Sequence, residues 1–473
     1  MIIKPLSKRF ILILILLSLI FGLLFFYAYQ NRFKESSDYS CPDCNVVMIA
    51  ITNVSAEHMG SYGYFRDTTP NIDKFAKDNI FFENAFSPAS WTLPVAASIF
   101  TSQYPFTHGV MDRGKDKILN VDITTLAEEL KNSGYNTVAF TGGGDYNAMH
   151  GLERGFEEYI DSDYFVKLNN RLPLALKWLK DNSPNKFFLF LQGFDAHCPF
   201  NPPDPYSSLF FEDEFKFSIK RNFCIRGFKS SPKEEYTAYY FQQRDLNPID
   251  LSQDDIDYLI SQYDGEIAMA DNSVNEFLKE LEKLGLMDKT IIIILSEHGE
   301  MFGKHGRFGR AGTNRGTLYD EVLHVPLIIK HPKIKEAKRI NGLAQLIDVM
   351  PTILDFLDIP SPVQSQGKSL IPLIYEGKEV NDYVYAGAKF GQVDFEYFNL
   401  LSANEMVRDK EWKLLREVIF EESPQLTWEL YNVAEDPDEL NNLISQRPDV
   451  FNSLKEKLSK WSSAVLKSNK TEN

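Results

Sequence analysis

Unbroken apolar runs, each ending in polar residues, constrain this chain more than any other feature. NVVMIAI spans Asn45 to Ile51, NTVAFT Asn136 to Thr141, KFFLFLQ Lys186 to Gln192, TIIIILS Thr290 to Ser296 and VPLIIK Val325 to Lys330. Runs of this length without alternation suit strands covered on both faces. Helical patterns separate them: TTLAEELKNSG, LPLALKWLKDNS and YLISQYDGEIAMADNSVNEFLKELEKLG. Strand and helix in alternation predict an α/β protein on a mostly parallel sheet flanked by helices. Past about Gly367 the pattern shortens to EWKLLREVIF, LTWELYNV and an amphipathic helix from about Pro448 to Val465. That tail reads as a small C-terminal antiparallel sheet with one helix. The expected organisation is an N-terminal segment 1–30, a linker 31–44, a main domain 45–366 and a C-terminal subdomain 367–473.

In open α/β sheets the ligand site lies beyond the carboxyl ends of the strands. The exits read Thr52-Asn53, Gly142-Gly143-Gly144-Asp145, Phe194-Asp195-Ala196-His197 and Glu297-His298-Gly299. Polar, titratable groups gather where such a fold would place its chemistry.

The formal net charge of −16 and the lack of a basic block argue against nucleic acid as a partner, because phosphate neutralisation by Lys and Arg supplies most of that affinity. Lys4, Lys8 and Arg9 precede an apolar run from Phe10 to about Tyr27, close to the ~20 residues that span a bilayer. Its bulky exit, FFYAYQNRF, differs from the small-residue site of a cleaved signal, so a retained transmembrane anchor is expected. Basic residues before it put the tail in the cytoplasm and the globular part outside. The four cysteines, Cys41, Cys44, Cys198 and Cys224, suit two disulfides in such a compartment. CPDC precedes its strand rather than following it, unlike a thioredoxin-type motif, and a structural role is expected.

Several blocks carry a family resemblance. SAEHMGSYGYFRDTTPNIDKFAKDNIFFENAFSPASWTLPVAASIFTSQYPFTHGV resembles the first signature of the sulfatases, within the alkaline-phosphatase superfamily. GYNTVAFTGGG, FLFLQGFDAHCPFNPPDPY, YDGEIAMADNSV, IIIILSEHGEMFGKHGRFG, LIDVMPTILDFLDIP and WELYNVAEDPDELNNL follow in the family's order. The resemblance covers residues 45 to about 460. It implies a sulfatase-like fold and a divalent cation, usually calcium, held by carboxylates after the first strand and by an Asp-His or Asp-Asn pair after a late one. It also implies a nucleophile at a helix N-terminus, where backbone N–H groups and the helix dipole favour a sulfate or phosphate anion.

Carried over residue by residue, the match is uneven. Thr92 of T-L-P-V-A falls on the nucleophile position and Pro94 on the motif proline; threonine cannot become formylglycine, although related members use Thr-x-Pro-Ser-His. Thr92 reads either as that nucleophile or as a helix N-cap. Ala96 stands where the motif has Arg or His. Thr52 and Asn53 stand in place of paired carboxylates, and neither brings charge to a calcium ligand set. Glu297 replaces the family aspartate beside His298, giving either half of a metal site or a hydrogen-bonded pair. His197 matches a histidine that contacts the substrate anion, with Asp195 at the usual spacing. Arg315 is assigned the anion-clamping position of a family lysine, where it could act bidentately. His108 and His305 match family positions that are structural or lie just behind the site, and Glu57 with His58 matches an Asp-His of relatives and reads as packing and capping residues.

Three functions compete. Four departures in one pocket, at Thr52, Asn53, Thr92 and Ala96, favour a sulfatase-family protein whose sulfuric-ester hydrolysis is weak or lost, with a sulfated or phosphorylated small molecule or glycan as its partner. The alternative is an active sulfate or phosphate ester hydrolase with Thr92 as nucleophile and a cation on Thr52, Asn53, Glu297 and His298. A membrane-anchored phosphoryl or phosphoethanolamine transferase ranks last, since its further acidic and histidine zinc ligands are not found. Specificity is expected from a loop at about Pro202 to Pro248, with its segment KFSIKRNFCIRGFKSS.

Overall fold

The computed structural model describes residues 39–468 apart from 112–117, 164, 212–215, 218, 220–222, 229–235, 241–245, 311–316, 391–400 and 421–424. Its centre is an eight-stranded sheet, and the first apolar run, Asn45–Ile51, lies inside it with all seven residues buried. From one edge the order is Lys338–Gln345, Ile80–Phe86, Leu327–Lys330, Thr290–Leu295, Asn45–Ile51, Phe187–Gly193, Asn136–Phe140 and Glu158–Ile160. The last five strands run parallel, with Met48 opposite both Phe190 and Ile293. Leu327–Lys330 is antiparallel to both neighbours. The mostly parallel sheet expected from the apolar runs is present, and VPLIIK supplies its reversed strand.

Side chains alternate across that sheet, as strand geometry requires. Val47, Ile49 and Ile51 share a core with Tyr263, Ile267, Val274 and Phe277 of the helix Gln253–Lys283. On the opposite face Phe190 meets Phe100 of the helix Thr92–Thr101 edge to face at 5.0 Å, and Phe188 stacks on Phe156 at 5.5 Å. Both faces are covered, which explains why the central strands show no polar alternation. Ser252 opens the long helix with a reciprocal capping box to Asp255, and Thr125 does the same with Glu128 for the helix Leu126–Asn132.

The stretch expected to be a specificity loop contains strands instead. Phe223–Phe228, Tyr236–Tyr240 and Leu246–Ile249 join Met301–Phe302 and Arg307–Gly309 in a five-stranded sheet. The Cys198–Cys224 disulfide ties this sheet to the segment carrying His197, and Cys41 pairs with Cys44 just before the first strand.

The tail forms the expected antiparallel sheet, and it has four strands, Val384–Phe390, Leu401–Arg408, Trp412–Phe420 and Gln425–Asn432. The helix Pro448–Ser468 covers it through Trp461, which stacks on Tyr385 at 5.2 Å and meets Tyr104 edge-on. A buried ionic cluster joins this sheet to the segment after the central strands. Lys413 lies 2.6 Å from Asp320 and 2.7 Å from Glu439, while Arg408 binds the other Asp320 oxygen. The expected membrane anchor falls at residues 10–27, outside the described residues; among the described residues no helix is long and apolar enough to cross a membrane.

Candidate active site

The two central strands Asn45–Ile51 and Thr290–Leu295 lie in register, Ala50 opposite Leu295, so their exits meet. Ser296 fastens them together, accepting from the Val54 amide at 2.9 Å and donating to the His298 carbonyl at 3.0 Å. Thr52, Asn53, Glu297 and His298 are therefore brought into one fully buried spot. Phe187–Gly193 adjoins on the other side and delivers Asp195 and His197.

Thr92 reaches the same spot from the N-terminus of its helix. The capping position belongs to the extended Trp91, which makes no side-chain cap, and Thr92 is the first helical residue. Its hydroxyl lies 3.0 Å from His298 Nε2. The other ring nitrogen of His298 faces the Gly299 carbonyl at 3.0 Å, which makes Nδ1 the donor and Nε2 the acceptor for the threonine proton. The N-cap reading of Thr92 gives way to a hydroxyl–imidazole pair. His108 braces the helix: its ring accepts from the Val110 amide and bonds Pro94 O and Ser98 Oγ, and burial pushes its pKa down to about 3. Ala96 is buried and contributes neither charge nor donor.

Glu297 is wholly buried, and neither carboxylate oxygen has a hydrogen-bond partner. Burial pushes its carboxyl up to about 7; the Thr52 and Thr92 hydroxyls and the Arg310 charge pull in the other direction without offering a bond of normal geometry. Thr52 itself accepts from Gln192 Nε2 at 2.7 Å.

Asn53 sits at φ 72°, a left-handed conformation that asparagine tolerates. Its Nδ2 donates to the Ala196 carbonyl at 2.7 Å and to Glu300 Oε2, while its Oδ1 accepts from Arg310 Nη1 at 2.8 Å. Arg310 also bonds Glu300 Oε2 at 3.0 Å and reaches His197 Nε2 at 3.2 Å. His197 donates from Nδ1 to the Cys198 carbonyl, so it meets the guanidinium with a lone pair. Phe165 and Phe194 pack around the imidazole. Asp195 is turned away to cap Leu168, and burial pushes its carboxyl up to about 7.

Neither Arg310 nor Glu300 was singled out in the sequence. The position assigned to the anion clamp, Arg315, lies outside the described residues; the cation that the structure places in the site is Arg310, five residues earlier. Glu300 is legible as the second acid of SEHGE, whereas Arg310 carries no local signal. His305 stacks flat on Tyr319, Glu57 pairs with Lys304, and His58 bonds Asp264, all in structural roles.

The divalent cation that the family resemblance implies would need its ligands from Thr52, Asn53, Glu297 and His298. Calcium takes six to eight oxygens with a high share of charge. Here Asn53 Oδ1 is committed to Arg310, Thr52 Oγ1 to Gln192 and His298 Nε2 to Thr92, leaving Glu297 as the sole uncommitted anionic ligand of the four. Among the described residues no group of three or more His, Cys, Asp or Glu is arranged to hold a metal. These residues do not fit calcium.

Comparison with known proteins bears on the family and the fold. Residues 44–359 match the sulfatase family profile, and residues 303–464 match the C-terminal region of N-sulphoglucosamine sulphohydrolase. Arylsulfatase K of Bos taurus is 25% identical over 413 residues, 80% of this chain and 74% of the relative; that of Rattus norvegicus is 24% identical over 449 residues, 88% and 77%. The phosphonate monoester hydrolase of Agrobacterium radiobacter superposes with a TM-score of 0.70 at 19% identity, covering 89% of this chain and 96% of that one. A protein solved with its substrate D-glucosamine-2-N,6-O-disulfate gives the same score at 19% identity, covering 91% and 99%. With the family profile extending over the central sheet and both strand exits, the chain belongs to the sulfatase family.

Proposed function

We propose that this protein binds the anionic group of a sulfated or phosphorylated glycan at the strand exits and that its sulfuric-ester hydrolysis is weak or lost. The observation that carries this reading is the Asn53 amide, fixed at once by the Ala196 carbonyl, Glu300 and Arg310. In the cation-dependent site that the family resemblance implies, the first-strand exit would present free anionic oxygens to the cation; here it presents a neutral side chain with donors and acceptor all engaged. Anion binding does not need that cation. Arg310 supplies positive charge, and the helix beginning at Thr92 offers backbone N–H groups at its N-terminus. The substrate class is taken from relatives: arylsulfatases in sequence and a protein acting on a glucosamine disulfate in structure.

A second reading rests on the 3.0 Å contact between Thr92 Oγ1 and His298 Nε2. In it the threonine oxygen attacks sulfur or phosphorus while its proton passes to His298, the bond from sulfur or phosphorus to the ester oxygen breaks as His298 returns that proton to the departing alcohol, and water then cleaves the threonine ester to release sulfate or phosphate. The two readings separate in one assay. The full-length chain in detergent is given aryl sulfates, aryl phosphates and a sulfated disaccharide, beside its Thr92→Ala variant. Saturable saccharide binding with no turnover dependent on Thr92 is expected. Turnover abolished by Thr92→Ala would replace this reading with the second.

A further inference from the structure

Arg310 is a buried cation at the strand exits, five residues before the position to which the family resemblance assigns an anion clamp. Its guanidinium is 9% exposed at the residue level and touches three groups from three different segments: Asn53 Oδ1, Glu300 Oε2 and His197 Nε2. Its charge also acts on Glu297, across the gap between the two strand exits. A guanidinium placed there occupies the region to which the family resemblance assigns the metal.

The choice of asparagine at position 53 fits this arrangement and no simple cation cage. The side chain must donate to the Ala196 carbonyl and to Glu300 and accept from Arg310. An aspartate has no donor, and would set a second carboxylate against Glu300. An asparagine satisfies all three contacts, and its amide orientation follows from them. Glu300 in turn is 3% exposed and would be an uncompensated buried charge without Arg310.

We propose that the Arg310 guanidinium is the fixed internal cation of this pocket, replacing the divalent ion, and that the pocket in its native form refuses such an ion. A dication entering between Asn53 and Glu297 would have to displace the guanidinium from Asn53 Oδ1 and lie against a like charge. The inference concerns charge and not turnover, so it stands or falls separately from the proposed loss of hydrolysis.

The test uses the full-length chain in detergent after chelator treatment, with thermal unfolding and calorimetric titration against Ca²⁺, Mg²⁺, Mn²⁺ and Zn²⁺. The native protein should give no saturable heat and a melting temperature unmoved by millimolar cation. Arg310→Met should melt lower, because Glu300 is stranded, and should recover on adding millimolar Ca²⁺. That recovery should vanish in Arg310→Met combined with Glu300→Gln, which should itself melt above the single variant. Arg310→Lys keeps the charge and should remain indifferent to cations, so it carries the test if the methionine variant does not fold. Saturable cation binding by the native protein, lost in Glu297→Gln, would overturn the inference, as would a cation-indifferent Arg310→Met that melts with the native chain. Because neither readout measures ester hydrolysis, a Thr92-dependent activity found elsewhere would leave this result intact.

Discussion

Replacing Lys413 with methionine tests the physical account of the joint between the main sheet and the C-terminal sheet. The Lys413 side chain is fully buried, with its ammonium 2.6 Å from Asp320 Oδ1 and 2.7 Å from Glu439 Oε1. The Glu439 contact is an ion pair without hydrogen-bond alignment. Asp320 keeps Arg408 if Lys413 is lost, but Glu439 loses its main cation. Removing one partner of a buried pair costs about 3–5 kcal/mol. With unfolding entropy of about 2.1 cal/mol/K per residue over the roughly 430 residues from Cys41 onward, that corresponds to a fall of about 3–6 °C in melting temperature. The deficit should depend on pH. Burial already pushes the Glu439 carboxyl up to about 7, and Lys413 is the largest influence holding it down. Without Lys413 the folded protein keeps a proton on Glu439 to higher pH, so stability is retained at low pH and lost as pH rises through that raised value. Lys413→Met should therefore lie closer to the native protein at pH 5.5 than at pH 8, and adding Glu439→Gln should recover at least half of the loss at pH 8. Melting curves by circular dichroism at both pH values decide it. An unchanged melting temperature at pH 8, or a larger deficit at pH 5.5, would refute the reasoning.

Asp195→Asn gives a second pH test. The carboxyl is raised from 3.8 to about 7 chiefly by burial, so the native protein gains stability below pH 4 and loses it as pH rises toward 7. At 1.36 kcal/mol per unit the variant should gain on the order of 4 kcal/mol relative to the native protein between pH 4 and pH 8, because asparagine still accepts from Leu168; urea titrations at the two pH values measure this. Cys198→Ser with Cys224→Ser opens a crosslink of sequence separation 26 and should cost about 3.5 kcal/mol by the loop-entropy relation, read from the urea midpoint. Thr92→Ala should leave any residual ester hydrolysis by the full-length chain within about threefold of native, as a general acid–base and nucleophilic role would instead be worth ~10²-fold or more.

Much of the scaffold is visible in single runs of residues because burial on both faces writes itself into the chain as unbroken hydrophobicity. NVVMIAI and TIIIILS are strands over almost the spans they suggest, and their exits meet as the parallel order requires. Ile80–Phe86 is less legible, since Glu83 and Asn84 interrupt IFFENAF, and the strands within 223–249 read as a loop because their sequence mixes charge and aromatic residues. Thr92, His298, Asn53 and Glu297 are legible from motif position, and the fold buries them side by side at the strand exits. The cap role once open to Thr92 fails because the helix begins one residue earlier than the hydroxyl needs, with Trp91 at the cap.

By itself the sequence determined the α/β class, the parallel core and the poverty of charge at Thr52 and Asn53, since each is a property of residues adjacent in the chain. Only the tertiary structure decided what stands opposite Asn53. Arg310 is 257 positions away and has no pattern of its own, and it becomes part of the site because a buried guanidinium must find Glu300, Asn53 and His197 where three strand exits converge.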